Sequence, residues 1–133
     1  MKLAKAELLV AALVFLTFGL GFLVVPVQWA SVVDIVIPTA TARTDFRATY
    51  GGFEIGMGLF LGACAMRADW VRLGLVALIL VAAGFGVGRL VGILAEGTAN
   101  ALMLAFVILE WAIALITVYV LRRLPLASGD VRG

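Results

Sequence analysis

Four long apolar runs, at about residues 8–25, 45–66, 71–94 and 100–121, take up most of this chain. A hydrocarbon core about 30 Å thick needs about 20 apolar residues of helix, so each run is long enough to cross a bilayer. In lipid every backbone N–H and C=O must be bonded internally, which leaves the helix as the natural form for such runs. With 65% hydrophobic and 14% charged residues and a mean hydropathy of +1.20, the chain lies outside the range of soluble domains, where those shares are about 45–50% and about 25%. The expected fold is therefore all-α, an integral membrane four-helix bundle in one domain over residues 1–124, followed by a polar cytoplasmic tail at 125–133.

Local signals set the ends of the spans. Pro26 stops the first, "MRADWVR" makes a short polar turn after the second, and Gly97 closes the third. Thr98 or Asn100 supplies the N-cap of the fourth, which Arg122, Arg123 and Pro125 end. Lys2 and Lys5 ahead of an apolar run imitate a secretory signal. The run at 8–25 is long for that purpose and "VQWAS" is a poor cleavage site, so the segment reads as a retained first helix. Lys2, Lys5, Arg67, Arg72, Arg122, Arg123 and Arg132 fall on one side, against Arg43 alone in the loops of the other. By the positive-inside rule both termini are cytoplasmic, and the expected location is the bacterial inner membrane. The first loop, residues 26–43, then faces outward. It reads either as a lid over the bundle or as an interfacial segment anchored by Trp29.

The net charge of +2 and a pI near 9.1 carry no nucleic-acid reading, because the basic residues sit at span ends. There is no histidine, and Cys64 is the only cysteine. Thiol-rich metal sites, histidine-based triads and an internal disulfide are excluded, and no metal or cofactor is expected. Acid–base chemistry would have to come from carboxylates, tyrosine or arginine.

A faint internal repeat runs through the chain. "FGLGFLV" at 18–24 matches "FGVGRLV" at 85–91, and "FEIGMGL" at 53–59 parallels "LEWAIAL" at 109–115, so that Glu54 corresponds to Glu110. Apolar helices also produce such matches by chance. A true duplication would make two parallel helical hairpins related by an axis along the membrane normal.

Charges inside the spans point to a site. Counting about 1.5 Å per residue, Glu54 lies about 13 Å and Glu110 about 15 Å below the outer ends of their spans, with Arg89 at roughly 8 Å and Arg47 at about 3 Å. An ionised side chain at mid-span costs roughly 2.5–3.5 kcal/mol on insertion scales, so these groups must face inward. Arg47, Tyr50 and Glu54, spaced i, i+3, i+7, share one helical stripe. Phe106 and Glu110 share another, and Phe85 and Arg89 a third. The five donors of Arg89 suit a carboxylate partner. Phe53, Phe85, Phe106 and Trp111 are the expected apolar lining around Arg47, Tyr50, Glu54, Arg89 and Glu110. Gly51, Gly52 and Gly58 on the second span, with Gly84, Gly88 and Gly92 on the third, form small-x-x-x-small faces expected to bring helix backbones together. The "GFGVGRLVG" stretch has the wrong spacing and setting for a dinucleotide fingerprint.

The "RATYGGFEIGMGLF" run, the "GRLVGILAEG" at the end of the third span and the "LEW" of the fourth resemble a bacterial family of small four-span membrane proteins that is classed as a domain of unknown function. The R-x-x-Y-G-G segment is the most specific part. The resemblance covers most of the chain and implies four helices and an importance for Arg47, Tyr50, Gly51, Gly52, Glu54, Arg89 and Glu110. It brings no reaction.

Three functions remain open. The first is a polar site in the outer half of the bundle that binds a small amphipathic or lipid-like ligand from the bilayer. Pairing of Arg89 with one glutamate would leave the other for proton transfer, with Glu54 and Glu110 as candidate catalytic residues for isomerisation, epoxide opening or cyclisation. The second is a structural or accessory protein whose ion network only orders the bundle, although buried ion pairs are poor stabilisers. The third is a proton-coupled transporter, against which stand the absence of an ionisable residue in 8–25 and the repulsion of cations by arginines. The lipid bilayer is the expected partner, and the glycine-rich flanks make a homo-oligomer a further expectation.

Overall fold

Proline and capping residues divide the chain as the sequence indicates, and helix fills nearly everything between them. The computed structural model describes residues 1–125, and there is no strand among them. The tail expected at 125–133 lies, apart from Pro125, outside the described residues.

Helix α1 (Lys2–Val24) ends where Val25, turned out of helical geometry at φ −127° and ψ 61°, precedes Pro26. Pro26 opens the short α2 (Pro26–Val32), where a missing N–H costs nothing. Beyond it Asp34 takes a left-handed conformation at φ 60°. Thr39 caps α3 (Ala40–Phe46), its hydroxyl accepting from the Ala42 amide at 3.1 Å. A π-helical turn over Arg47–Gly52 leads without a break into α4 (Phe53–Met66). Helix α5 (Val71–Glu96) closes on Gly97, whose φ of 68° is the left-handed position that glycine fills without strain. Asn100 caps α6 (Ala101–Arg123), accepting from the Met103 amide at 2.8 Å.

Three helices, α1, α5 and α6, are long and apolar enough to cross a membrane. The second apolar run, at 45–66, differs from its expected form. Its α4 portion is only 14 residues, and the remainder is reached through the π turn and α3 as one helical path from 40 to 66. Many large apolar side chains on the long helices point outward, among them Leu13, Leu80 and Ile108, which is the pattern of helices bathed in lipid.

The helices pack as two close pairs. In the first, α1 meets the π turn and α4 through glycine. A Cβ on Gly19 would stand 2.8 Å from the Ile55 nitrogen, and one on Gly58 would stand 3.0 Å from the Ala12 carbonyl oxygen. In the second pair, α5 meets α6 where the Trp111 ring lies against Gly86. A core of Leu8, Leu61, Cys64, Val71, Leu75 and Val120 joins the pairs at the end that carries the N-terminus. At the opposite end an aromatic group of Phe18, Phe22, Trp29, Phe46 and Tyr50 seats α2 and α3 on the first pair, with the Trp29 ring packed on Gly21.

Candidate functional site

Between the aromatic end of the first pair and the facing part of the second lies a cleft of about 530 Å³. Aliphatic and aromatic side chains make up most of its wall, which includes Phe22, Phe46, Leu78, Phe85, Met103 and Phe106. Val33 and Ile35 from the loop after α2 also line it. That loop is tied to the start of α6, since the Asn100 side-chain amide donates to Asp34 Oδ2 at 3.1 Å. The ionisable groups in the wall are Tyr50, Glu54, Arg89 and Glu110.

Arg89 and Glu110 meet as the sequence led us to expect. Nε of Arg89 donates to Glu110 Oε1 at 2.7 Å, and this is the one ion pair among the described residues. The guanidinium also reaches Met103 Sδ at 3.3 Å and lies 4.8 Å from the centre of the Phe106 ring, so two of its sides are occupied by α6. Glu110 is 9% exposed. Its Oε2 and that of Glu54 are buried and have no hydrogen-bond partner. Glu54 thus shares the cleft with Arg89 and Glu110 but makes no pair with either.

Arg47 stands apart from this group. Its Nε donates to the Leu23 carbonyl at 2.9 Å, satisfying one of the last-turn oxygens of α1 that helix geometry leaves unpaired. The stripe drawn through Arg47, Tyr50 and Glu54 assumed an α-helical period. The π turn changes that period; Tyr50 and Glu54 still share the cleft wall, while Arg47 is turned to the Leu23 carbonyl.

The aromatic residues divide in the same way. Phe85 and Phe106 line the cleft. Phe53 instead lines a neighbouring depression of about 470 Å³ with Thr49, Tyr50, Glu54 and Phe85, which places Glu54, Tyr50 and Phe85 on the ridge between two hollows. Trp111 faces neither, because it fills the contact with Gly86, and its Nε1 is buried without an acceptor.

The glycines separate into two kinds. Gly51 and Gly58 touch α1, as packing requires. Gly52 meets only the Arg47 carbonyl, at 3.8 Å, and a Cβ at Gly84, Gly88 or Gly92 would meet nothing within 4 Å. Gly84 and Gly88 lie in the cleft wall, where they keep space open instead of closing it. The α5 glycines that do receive neighbours are Gly74 and Gly86.

One polar contact was not read from the sequence. Thr117 Oγ1 donates to Glu7 Oε1 at 2.6 Å, joining α6 to α1 near the common core. A first span beginning at Leu8 leaves Glu7 outside, whereas α1 begins at Lys2 and carries Glu7 into the bundle.

The family described as Domain of unknown function (DUF4345) matches residues 3–121. The chain belongs to that family. The DUF4345 match takes in every residue of the cleft, including Glu54, Arg89 and Glu110. No curated protein matches the chain, and no solved structure does.

Proposed function

We propose that this chain is a four-span integral protein of the cytoplasmic membrane, with both termini cytoplasmic, that binds a small amphipathic or lipid-like molecule in the cleft between its two helix pairs. The remaining crossing is the continuous helical path from 40 to 66, which at about 1.5 Å per residue is longer than a hydrocarbon core is thick. The basic residues at the ends of the helices near the shared core support an orientation with that end inside, in which the cleft would lie in the outer half of the bilayer.

The observation that carries the binding reading is an apolar cleft of about 530 Å³ with buried carboxylate oxygens that have no donor. A volume of that order suits a small-molecule site, in which apolar walls supply affinity and a few polar groups fix orientation. Carboxylate acid–base chemistry on a bound substrate would fall to Glu54, since Arg89 holds Glu110. The Arg89–Glu110 contact also favours a second reading, in which the charges only tie α5 to α6.

Mass spectrometry of the protein extracted gently from its own membrane separates these readings. A retained lipid or metabolite is expected from the wild type. Gly88→Leu, which fills the cleft without entering a helix contact, is expected to lose it while remaining folded. Equal yields of bound molecule from both proteins, or none from either, would leave the structural reading standing.

A further inference from the structure

The two helix pairs make corresponding contacts at corresponding positions. With 18–24 laid on 85–91 and 53–59 on 109–115, Gly19 matches Gly86 and Ile55 matches Trp111. In the first pair Gly19 is the glycine that Ile55 touches, and in the second Gly86 is the one that Trp111 touches. The same register sets Phe22 on Arg89 and, continued back along the helix, Tyr50 on Phe106. Phe22 and Tyr50 have ring centres 5.7 Å apart, and the Arg89 guanidinium lies 4.8 Å from the Phe106 ring. These matched contacts extend the likeness of the two pairs from sequence to packing.

The correspondence breaks at the charges, as it does where Trp29 packs on Gly21 but nothing meets its counterpart Gly88. Glu110 receives Arg89 at 2.7 Å, but the counterpart of Arg89 in the first pair is Phe22, so Glu54 has no matching cation. The first pair therefore has the acid without the cation, and Glu54 Oε2 is buried with no donor. Arg47 does not fill the gap, because it is bound to the Leu23 carbonyl. Arg89 does not fill it either, being engaged by Glu110, Met103 and Phe106. Counting Glu54, Arg89 and Glu110, the ionisable wall holds two acids and one base, with two carboxylate oxygens lacking donors. An anionic head group would add a further negative charge beside them. A primary ammonium brings positive charge and three donors, which a carboxylate in the wall can accept.

We infer that the cleft takes a cationic amphiphile, a primary amine on an apolar chain, whose ammonium stands against Glu54 in the place that Arg89 takes against Glu110. This rests on the cleft being a binding site, and adds the chemistry of the head group. Such an ammonium is supplied either by a free lipophilic amine or by the head of an aminolipid.

The test uses the full chain in phosphatidylcholine nanodiscs, with labelled dodecylamine as the probe and unlabelled dodecylamine, dodecanol and dodecanoate as competitors. The expected result is saturable dodecylamine binding that dodecanoate fails to displace. Glu54→Gln, nearly the same shape, should weaken it by about tenfold or more, the usual worth of a charge-assisted hydrogen bond. Phe22→Arg should abolish it by supplying an internal guanidinium, and Phe22→Arg with Glu54→Gln should not bind either. In discs of phosphatidylethanolamine or phosphatidylglycerol, Glu54-dependent retention of the former, read by native mass spectrometry, identifies the lipid head as the source and also supports the inference. Competition that ignores the head group, with Glu54→Gln binding like the wild type, overturns the ammonium assignment and leaves the cleft as an apolar site. No saturable binding of any probe, with the wild type indistinguishable from Gly88→Leu, overturns the cleft reading and this inference with it. Circular dichroism on Glu54→Gln keeps loss of binding distinct from loss of fold.

Discussion

Gly19→Ala is the most direct probe of how the first helix pair is held together. The added methyl group would lie 2.8 Å from the Ile55 nitrogen, 2.9 Å from Ile55 Cγ1 and 3.0 Å from the Gly51 carbonyl oxygen. Two of those three obstacles are backbone, so relief requires α1 and the helix beginning at the π turn to move apart. A rotamer change cannot provide it. Overpacking of this kind costs about 1–3 kcal/mol, and the rigidity of the obstacle puts Gly19→Ala toward the upper end. Replacing glycine in a helix interior returns about 1 kcal/mol, leaving a net loss of about 1–2 kcal/mol. Gly56→Ala is the matched control, since nothing lies within 4 Å of its Cβ position. It should gain about 0.5–1 kcal/mol from propensity alone, so the two variants should differ by about 1.5–3 kcal/mol. Reversible unfolding in mixed micelles, titrated with dodecyl sulfate and followed by circular dichroism, measures that gap. If Gly19→Ala proves as stable as Gly56→Ala, the pair is not held by backbone approach at this glycine and the packing argument fails.

Three further outcomes can be checked in the same assay. Arg47→Ala strands the Leu23 carbonyl and should cost about 1–3 kcal/mol, while leaving the occupancy of the cleft unchanged, because Arg47 is no part of its wall. Asn100→Ala removes both the cap on Met103 and the contact with Asp34. It should lower stability by about 1 kcal/mol or somewhat more, and Asn100→Ser, which can still cap, should recover most of the loss. Leu61→Ala empties a fully buried position in the shared core and should cost about 2–5 kcal/mol, more than any of the changes around the cleft.

Much of this architecture can be read in the chain because its punctuation is local. Pro26, Gly97 and Asn100 each act on the backbone within a turn of themselves, and they end and begin helices where their chemistry requires. A pair between Arg89 and one of the two glutamates was legible, since a long guanidinium side chain can reach a deeper carboxylate on a neighbouring span, but which glutamate it meets was not. Arg47 lies on the Leu23 carbonyl and outside the cleft wall, and the π-helical period of "RATYGG", which a stripe drawn at α-helical spacing does not contain, stands between it and Glu54. The role of a glycine was legible only in part. Sequence cannot distinguish Gly86, where a tryptophan ring enters, from Gly84 and Gly88, where absence of a side chain leaves a hollow, because the difference lies in the neighbouring helix. Trp111, expected in the apolar lining, follows Glu110 directly, and one residue along a helix is a large step around its axis, so the ring turns toward α5.

The shared core binds the two helix pairs at one end only, and the opposite end is spanned by little more than the Asn100–Asp34 hydrogen bond and the loop side chains that reach across. Such an arrangement works as a pair of tongs with its pivot at Leu61 and Val71. With arms about 30 Å long, a swing of about 5° opens or narrows the jaws by about 2.5 Å, roughly half the thickness of a hydrocarbon chain. Mutations that loosen the core at Leu61 and Val71 are then expected to change the width of the cleft, measurable as altered binding there.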